Sequence, residues 1–189
     1  MKILALILSV FCTISHAVYA ENKQNSDWIN NADAEANIIN NAGDKIGVIY
    51  AKQGTQGVLL RLNVSHLPAG IHGMHFHNVG DCTEHQDFHS AGGHIDTKQK
   101  PHGFLNAKGP HEGNLPNLIV DNMGNAHVEL YSQMVSIHHG KIALLDSDGS
   151  TLIIHANSDD HISQPIGGAG ERIACGDFKA VKNVSNTHH

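Results

Sequence analysis

Residues 58–64 read VLLRLNV: Val or Leu stands at every second position, and Arg61 and Asn63 lie between them. A period of two is typical of a β-strand with one buried face. The same alternation recurs at residues 46–50 and 126–130. Beyond the N-terminal segment, no long stretch has the helical period of 3.6 residues. We therefore predict an all-β fold, an antiparallel β-sandwich or flattened barrel.

Two long segments between the predicted strands have no sustained period: residues 78–116 and residues 158–170. Both are rich in glycine. A loop of about 40 residues is uncommon in a compact domain unless it is functional and something holds it in place. The sequence thus predicts two long functional loops, and a disulfide or a bound metal could hold them.

The chain has 189 residues, enough for one domain and a short extension. Its formal charge of −6 makes nucleic acid, a polyanion, an unfavourable partner. No apolar run is long enough to remain as a membrane span after processing. The 17 histidines are the most unusual feature of the composition, and they are the first candidates for functional residues.

The N-terminus has the pattern of a secretory signal peptide. Lys2 precedes an apolar run at residues 3–14, and Val18-Tyr19-Ala20 places small residues at the two positions that signal peptidase reads. We predict cleavage after Ala20 and export, and a buried first helix is the alternative. The predicted organisation is a signal peptide (1–20), a flexible arm (21–33), one domain (34–184) and a C-terminal tail (185–189).

Processing would leave two cysteines, Cys82 and Cys175. In an oxidising compartment two cysteines most simply form one disulfide. Two free thiols, or a site for a soft metal ion, remain as alternatives.

Residues 71–77 are predicted to form a further strand, which contains His75 and His77. Alternate residues of a strand share a face, so both imidazoles point one way while Met74 and Phe76 point into the core. Two adjacent imidazoles suit copper or zinc.

More candidate ligands lie inside the first loop: His94, His102 and His111 are separated by eight and nine residues. By itself, a pair of histidines is a weak signal, but this spacing strengthens it. Further along the chain the candidates are His155, Asp159 and Arg172.

Taken together, these residues resemble the copper/zinc superoxide dismutase family over about residues 34–180, and the short spacing from His77 to Cys82 resembles its exported, periplasmic bacterial branch. The motifs that carry the resemblance are GMHFH (73–77), GDC (80–82), SAGGH (90–94), His102, HEG (111–113), IHA (154–156), GGAG (167–170), Arg172 and ACG (174–176).

The resemblance implies a Greek-key β-sandwich and an enzyme that converts superoxide to dioxygen and hydrogen peroxide. It implies copper and zinc as cofactors, and a redox-cycling copper bridged to zinc by His94, which also carries a proton. The implied copper ligands are His75, His77, His94 and His155, and the implied zinc ligands are His94, His102 and His111.

The same resemblance implies roles for residues around the metals. Asp159 would accept hydrogen bonds from His75 and His102 and fix both rings. Arg172 would hold the anionic substrate beside the copper. Residues 158–171 contain no Lys or Arg, so the charge distribution of this sequence adds Lys98, Lys100 or Lys108 as candidates for attracting the anion. A Cys82–Cys175 disulfide would join the first loop to the last strand.

The sequence departs from the family pattern at Asn114, where the family has an aspartate that completes the zinc site. Three interpretations are open. The amide oxygen of Asn114 binds zinc weakly; water or a carboxylate such as Glu112 or Asp87 completes the site; or zinc is loosely held and often absent.

A non-catalytic protein that buffers copper or zinc on the same sandwich is the alternative function. Arg172, Asp159 and a bridging His94 favour the enzyme, because metal storage needs none of them. The sequence does not decide between a monomer and a homodimer.

Overall fold

The computed structural model describes residues 28–181. The predicted signal peptide, residues 21–27 of the predicted arm and the predicted tail lie outside this part of the chain. Residues 28–32 form one short turn and belong to a different unit from residues 33–181, which form a unit of their own. No helix among the described residues has the length and apolarity needed to cross a membrane.

Ten strands make up the larger unit, and every pairing between them is antiparallel. The strands are β1 (Ala34–Asn40), β2 (Lys45–Gln53), β3 (Val58–Val64), β4 (Gly70–His72), β5 (Met74–His77), β6 (Leu118–Val120), β7 (Ala126–Ser132), β8 (Thr151–His155), β9 (Arg172–Asp177) and β10 (Lys179–Ala180). Two short 3₁₀ helices, His89–Ala91 and Gly140–Ile142, lie in loops.

The main sheet has the order β5-β8-β9-β1-β2-β3-β7, with β10 beside β1, and β4 pairs with β6 in a second, two-stranded sheet. The main sheet curls so that its apolar face encloses the core. The burial pattern of β3 marks this apolar face: Val58, Leu60, Leu62 and Val64 are buried, and the residues between them are only partly buried. The prediction of an all-β sandwich or flattened barrel is confirmed.

One predicted strand is divided. The sequence predicts a single strand over residues 71–77, but Gly73 separates β4 from β5. The Gly73 amide donates to the Asn157 carbonyl and its own carbonyl accepts from the His155 amide. The division marks the point where the chain passes from pairing with β6 in the small sheet to pairing with β8 in the main sheet.

The first loop, between β5 and β6, is fastened to the sheet at several points. Gly113 is one of them, because its carbonyl accepts the Phe76 amide of β5 and its amide donates to the Ile95 carbonyl. A Cβ at Gly113 would overlap the Phe76 carbonyl oxygen and would come within 2.9 Å of the Ile95 amide nitrogen. Only glycine lets the loop approach β5 this closely.

We therefore expect Gly113→Ala to lower the free energy of unfolding by about 1–3 kcal/mol, the usual effect of overpacking. The matched control is Gly93→Ala in the same loop. A Cβ at Gly93 would meet nothing within 4 Å, so this change should stay within about 0.5 kcal/mol. Urea unfolding of both variants checks the prediction, and equal effects would contradict it.

Candidate metal centre

Four histidines from three parts of the chain converge on one side of the sheet. His75 and His77 come from β5, His155 ends β8, and His94 comes from the first loop, where it forms a β-bridge with His77. The β5 strand pairs directly with β8, which explains why His155 lies beside the β5 histidines. Each of the four offers one ring nitrogen, and these nitrogens lie within 4.8 Å of one another.

Each of these rings has one buried nitrogen without a hydrogen-bond partner. On three of them the other nitrogen is bound to an oxygen: His75 Nε2 to Asp159 at 2.8 Å, His77 Nδ1 to the Gly92 carbonyl at 2.9 Å, and His155 Nδ1 to the Gly170 carbonyl at 3.0 Å. The unpartnered atoms are His75 Nδ1, His77 Nε2, His94 Nε2 and His155 Nε2.

Buried polar atoms almost always have a partner, because an unpaired one loses its bond to water without compensation. Four unpaired imidazole nitrogens at one place therefore fit a metal ion. The bonds to Gly92 and Gly170 also fix which nitrogen carries hydrogen, because a carbonyl can only accept. The lone pairs of His77 and His155 are left on Nε2, facing the site.

Burial keeps these rings neutral, as metal ligands must be. Burial is the main reason that the pKa of His77 lies well below its ordinary value, with the positive charge of Arg172 adding to the effect. Burial, followed by the neighbouring His75, lowers the pKa of His155 to about 4. At neutral pH both rings therefore have a free lone pair.

A second group shares one member with the first: His94, His102 and His111 also offer nitrogens within 4.8 Å of one another. His94 Nδ1 lies 3.1 Å from His111 Nδ1, and the ring centroids of His102 and His111 are 5.5 Å apart. Since His94 Nε2 faces the first group and its Nδ1 faces the second, one imidazole separates two adjacent candidate metal sites.

Asp159 connects the two groups from behind. Its Oδ2 lies 2.8 Å from His75 Nε2, and its Oδ1 lies 3.0 Å from His102 Nε2. Burial by itself would raise the pKa of Asp159, but hydrogen bonds from His102 and His75 outweigh burial and hold the pKa well below its ordinary value. The carboxylate therefore stays charged and orients one ring in each group.

Arg172, at the start of β9, lies at the mouth of the first group. Its guanidinium donates to the Phe88 carbonyl at 2.6 Å and to the Gly92 carbonyl at 2.7 Å. The Gly92 carbonyl also accepts from His77 Nδ1, so the guanidinium is held next to a ring of the first group. The side chain borders an open cavity of about 810 Å³ that His77, His94 and His155 also line.

A disulfide holds the loop that carries the Arg172 acceptors. Cys82, in the first loop, is bonded to Cys175 on β9, three residues after Arg172. Phe88 and Ala91 pack against Cys175 and Ile153 in a small buried cluster beside it. The carbonyls that hold Arg172 thus belong to a segment joined to the same strand as Arg172.

Asn41 has a related role that the sequence does not indicate. Its side-chain amide lies 2.9–3.1 Å from three carbonyl oxygens, those of His85, Gln86 and Arg172. It connects the first loop to the backbone of Arg172. A single asparagine between two strands has no pattern that could have revealed this.

Several candidates from the sequence are not members of either histidine group. Glu112 is bonded to Thr97 through both carboxylate oxygens, and Asp87 lies 3.4 Å from His89 near the surface. Neither carboxylate joins the second histidine group within the described residues.

The lysine candidates differ from Arg172 in their position relative to the cavity. Lys98 pairs with Glu112. The cavity is not lined by any of the three candidate lysines, Lys98, Lys100 and Lys108. Among the described residues, Arg172 is the one Lys or Arg side chain that lines it.

Sequence comparison identifies the family. Residues 45–178 match the family described as copper/zinc superoxide dismutase (SODC). The chain is 46% identical over 140 residues to "Superoxide dismutase [Cu-Zn]" of Caulobacter vibrioides, covering 72% of this chain and 80% of that protein. It is 42% identical over 146 residues to "Superoxide dismutase [Cu-Zn] 1" of Aquifex aeolicus, covering 76% and 86%.

Solved structures agree on the fold. A SOD-like protein from Bacillus subtilis superposes with a TM-score of 0.72 at 35% identity and covers 78% of this chain and 97% of its own. The Cu/Zn superoxide dismutase from Brucella abortus superposes with a TM-score of 0.64 at 22% identity, covering 78% and 100%, which is a likeness of fold. The chain therefore belongs to the copper/zinc superoxide dismutase family.

Proposed function

We propose that this protein is a superoxide dismutase, which converts two superoxide anions and two protons to dioxygen and hydrogen peroxide. The observation that carries the proposal is the set of four unpartnered, buried imidazole nitrogens beside the fixed guanidinium of Arg172. Family membership supports the same activity.

In this proposal His75, His77, His94 and His155 hold copper, and His94, His102 and His111 hold zinc. The donor atoms fit: nitrogen ligands suit both ions, and the four nitrogens of the first group have no other partner. Bound copper supplies a one-electron couple that can oxidise one superoxide and reduce the next.

The residues of the chain supply charge and protons. Arg172 is permanently charged and planar, so it attracts the anion into the cavity and holds it beside His77. His94 Nε2 faces the same space and is the atom that can take up a proton and pass it to the peroxide anion. Asp159 keeps His75 and His102 in fixed orientations during turnover.

A protein that only buffers metals is not favoured. Storage requires ligands, but it does not require a guanidinium fixed at the open side of the site by two hydrogen bonds. It also does not require a single imidazole between two metal groups.

Export to the periplasm is also part of the proposal, with residues 1–20 as the signal peptide and cleavage after Ala20. The Cys82–Cys175 disulfide supports it, because structural disulfides persist in oxidising compartments. Mass spectrometry of the exported chain tests the cleavage site.

The proposal further includes a homodimer. A second copy of the chain would cover the side chains of Ile71 and Ile119, which are exposed and lie directly opposite each other on β4 and β6. Sedimentation of the mature chain measures the oligomeric state.

The activity is tested by removing and restoring the metals. The purified mature chain is stripped with a chelator, and superoxide consumption is then followed after addition of copper, of zinc, or of both. We expect stripping to reduce consumption to the spontaneous rate, copper to restore it, and zinc alone to leave it unrestored. A stripped chain that consumes superoxide as fast as the loaded one would contradict the proposal.

A further inference from the structure

Asn114 lies beside the second histidine group and has little freedom to move. Its side chain is buried, and its backbone amide donates to the His111 carbonyl. A β-bridge to His75 adds to this restraint. The side-chain amide must therefore meet the groups around it from one fixed position.

The surroundings determine which way this amide faces. Its oxygen accepts the backbone amide of His111 at 2.9 Å and approaches that of Gly103 at 3.5 Å. Its nitrogen lies 3.0 Å from His102 Nδ1. A backbone N–H can only donate, so the atom that faces His111 N must be the oxygen.

The other side of the amide leads to the same orientation. His102 Nε2 faces the carboxylate of Asp159, which can only accept, so Nε2 carries the hydrogen of this ring. The lone pair of His102 is then on Nδ1, where the Asn114 NH₂ group donates to it. The hydrogen bonds at both ends are satisfied in this one orientation.

Turning the amide by 180° would place NH₂ against the His111 N–H and the amide oxygen against the lone pair of His102. Both contacts would be repulsive. An aspartate does not meet this conflict, because one carboxylate oxygen can accept the backbone N–H while the other binds a cation. The side chain of an asparagine has a single oxygen, so it can accept the backbone N–H or bind the cation, but it cannot do both.

We infer that Asn114 is not a zinc ligand, and that the second site of this protein is a three-histidine site without a protein oxygen ligand. The NH₂ group of Asn114 points at the ring nitrogen that would bind zinc, so it opposes the cation. Glu112 and Asp87 do not replace it, because both are engaged elsewhere. Asp96 faces His111 Nε2 at 3.8 Å, whereas the nitrogen of this ring that faces His94 is Nδ1. The inference rests on the proposed function in so far as the second site is taken to hold zinc.

The consequence is a site that holds zinc more weakly than it would with aspartate at residue 114. Zinc affinity is measured by competition with a chromogenic chelator, on stripped mature chain that has been given one equivalent of copper. We expect Asn114→Asp to bind zinc about 100-fold more tightly, the upper end of the effect known for groups that support metal ligands. Asn114→Ala is the matched control, and it should leave zinc affinity within about tenfold of the unchanged chain, since it removes an opposing NH₂ group and no ligand.

Two results would overturn the inference. One is a loss of about tenfold or more in Asn114→Ala, as expected if a ligand had been removed. The other is a gain of less than about tenfold in Asn114→Asp. If Asn114→Ala does not fold, as judged by its thermal unfolding, the isosteric Asn114→Asp decides alone. The measurement needs no superoxide, so its failure would leave the proposed activity intact, and a failure of activity would not alter the affinities.

A second measurement tests the hydrogen bond from Asn114 to His102. Without metal, a carboxylate at residue 114 cannot donate to His102 Nδ1, so Asn114→Asp should melt at a lower temperature than the unchanged chain in the presence of a chelator. With zinc bound, the order should reverse. A variant that melts higher in both conditions would contradict the orientation of the amide.

Discussion

Arg172→Glu is expected to slow superoxide consumption by about 100-fold, within the range over which charge steering alters association rates. The substitution replaces the lone Lys or Arg side chain that lines the cavity among the described residues with a negative charge. Superoxide is then repelled at the place where it must bind. The hydrogen bonds to the Phe88 and Gly92 carbonyls are also lost. Stopped-flow measurement of superoxide decay, at low and high salt, measures the effect.

Lys100→Glu is the matched control, because it makes the same change of charge outside the cavity. We expect it to change the rate by less than about threefold, since the Lys100 side chain does not line the cavity where superoxide must bind and salt screens its charge. Copper content must be determined for each variant, so that loss of metal is not counted as loss of attraction. If the two substitutions slowed superoxide consumption equally, Arg172 would have no special part in the mechanism, and the attraction of superoxide would depend on the net charge of the protein.

Replacing both cysteines, Cys82→Ala with Cys175→Ala, is expected to lower the free energy of unfolding by about 4 kcal/mol. The bridge joins residues that are 93 apart in sequence. Cross-links that close long loops restrict the unfolded chain most, and a loop of this length lies near the upper end of the effect. Urea unfolding of the metal-free proteins measures the difference.

The same double variant should also turn over more slowly. Without the bridge, the segment that contains Phe88 and Gly92 is no longer joined to β9, and these carbonyls hold the guanidinium of Arg172. A reductant provides the control. It should bring the unchanged chain to the stability and rate of the double variant, and it should leave the double variant as it was. A reductant that alters both proteins equally would show that its effect does not come from this disulfide.

Much of the architecture follows from local sequence patterns. The alternation at residues 58–64 is the burial pattern of β3, because a strand turns successive side chains to opposite faces. The same rule separates His75 and His77 from Met74 and Phe76, which belong to the core. The division of the predicted strand at Gly73 could not be predicted, because its cause is a change of pairing partner from β6 to β8, two strands that lie far away in the sequence.

Local patterns in the sequence were enough to predict the class of fold, the family, the converging histidines and the position where the chain departs from the family pattern. The three-dimensional arrangement was needed to show which nitrogen of each ring faces the centre, that Asn41 connects to Arg172, and that the Asn114 amide turns its NH₂ group toward His102. The reason is physical. Strand periodicity is written in neighbouring residues, whereas the direction of a hydrogen bond depends on carbonyls and amides that distant segments bring together.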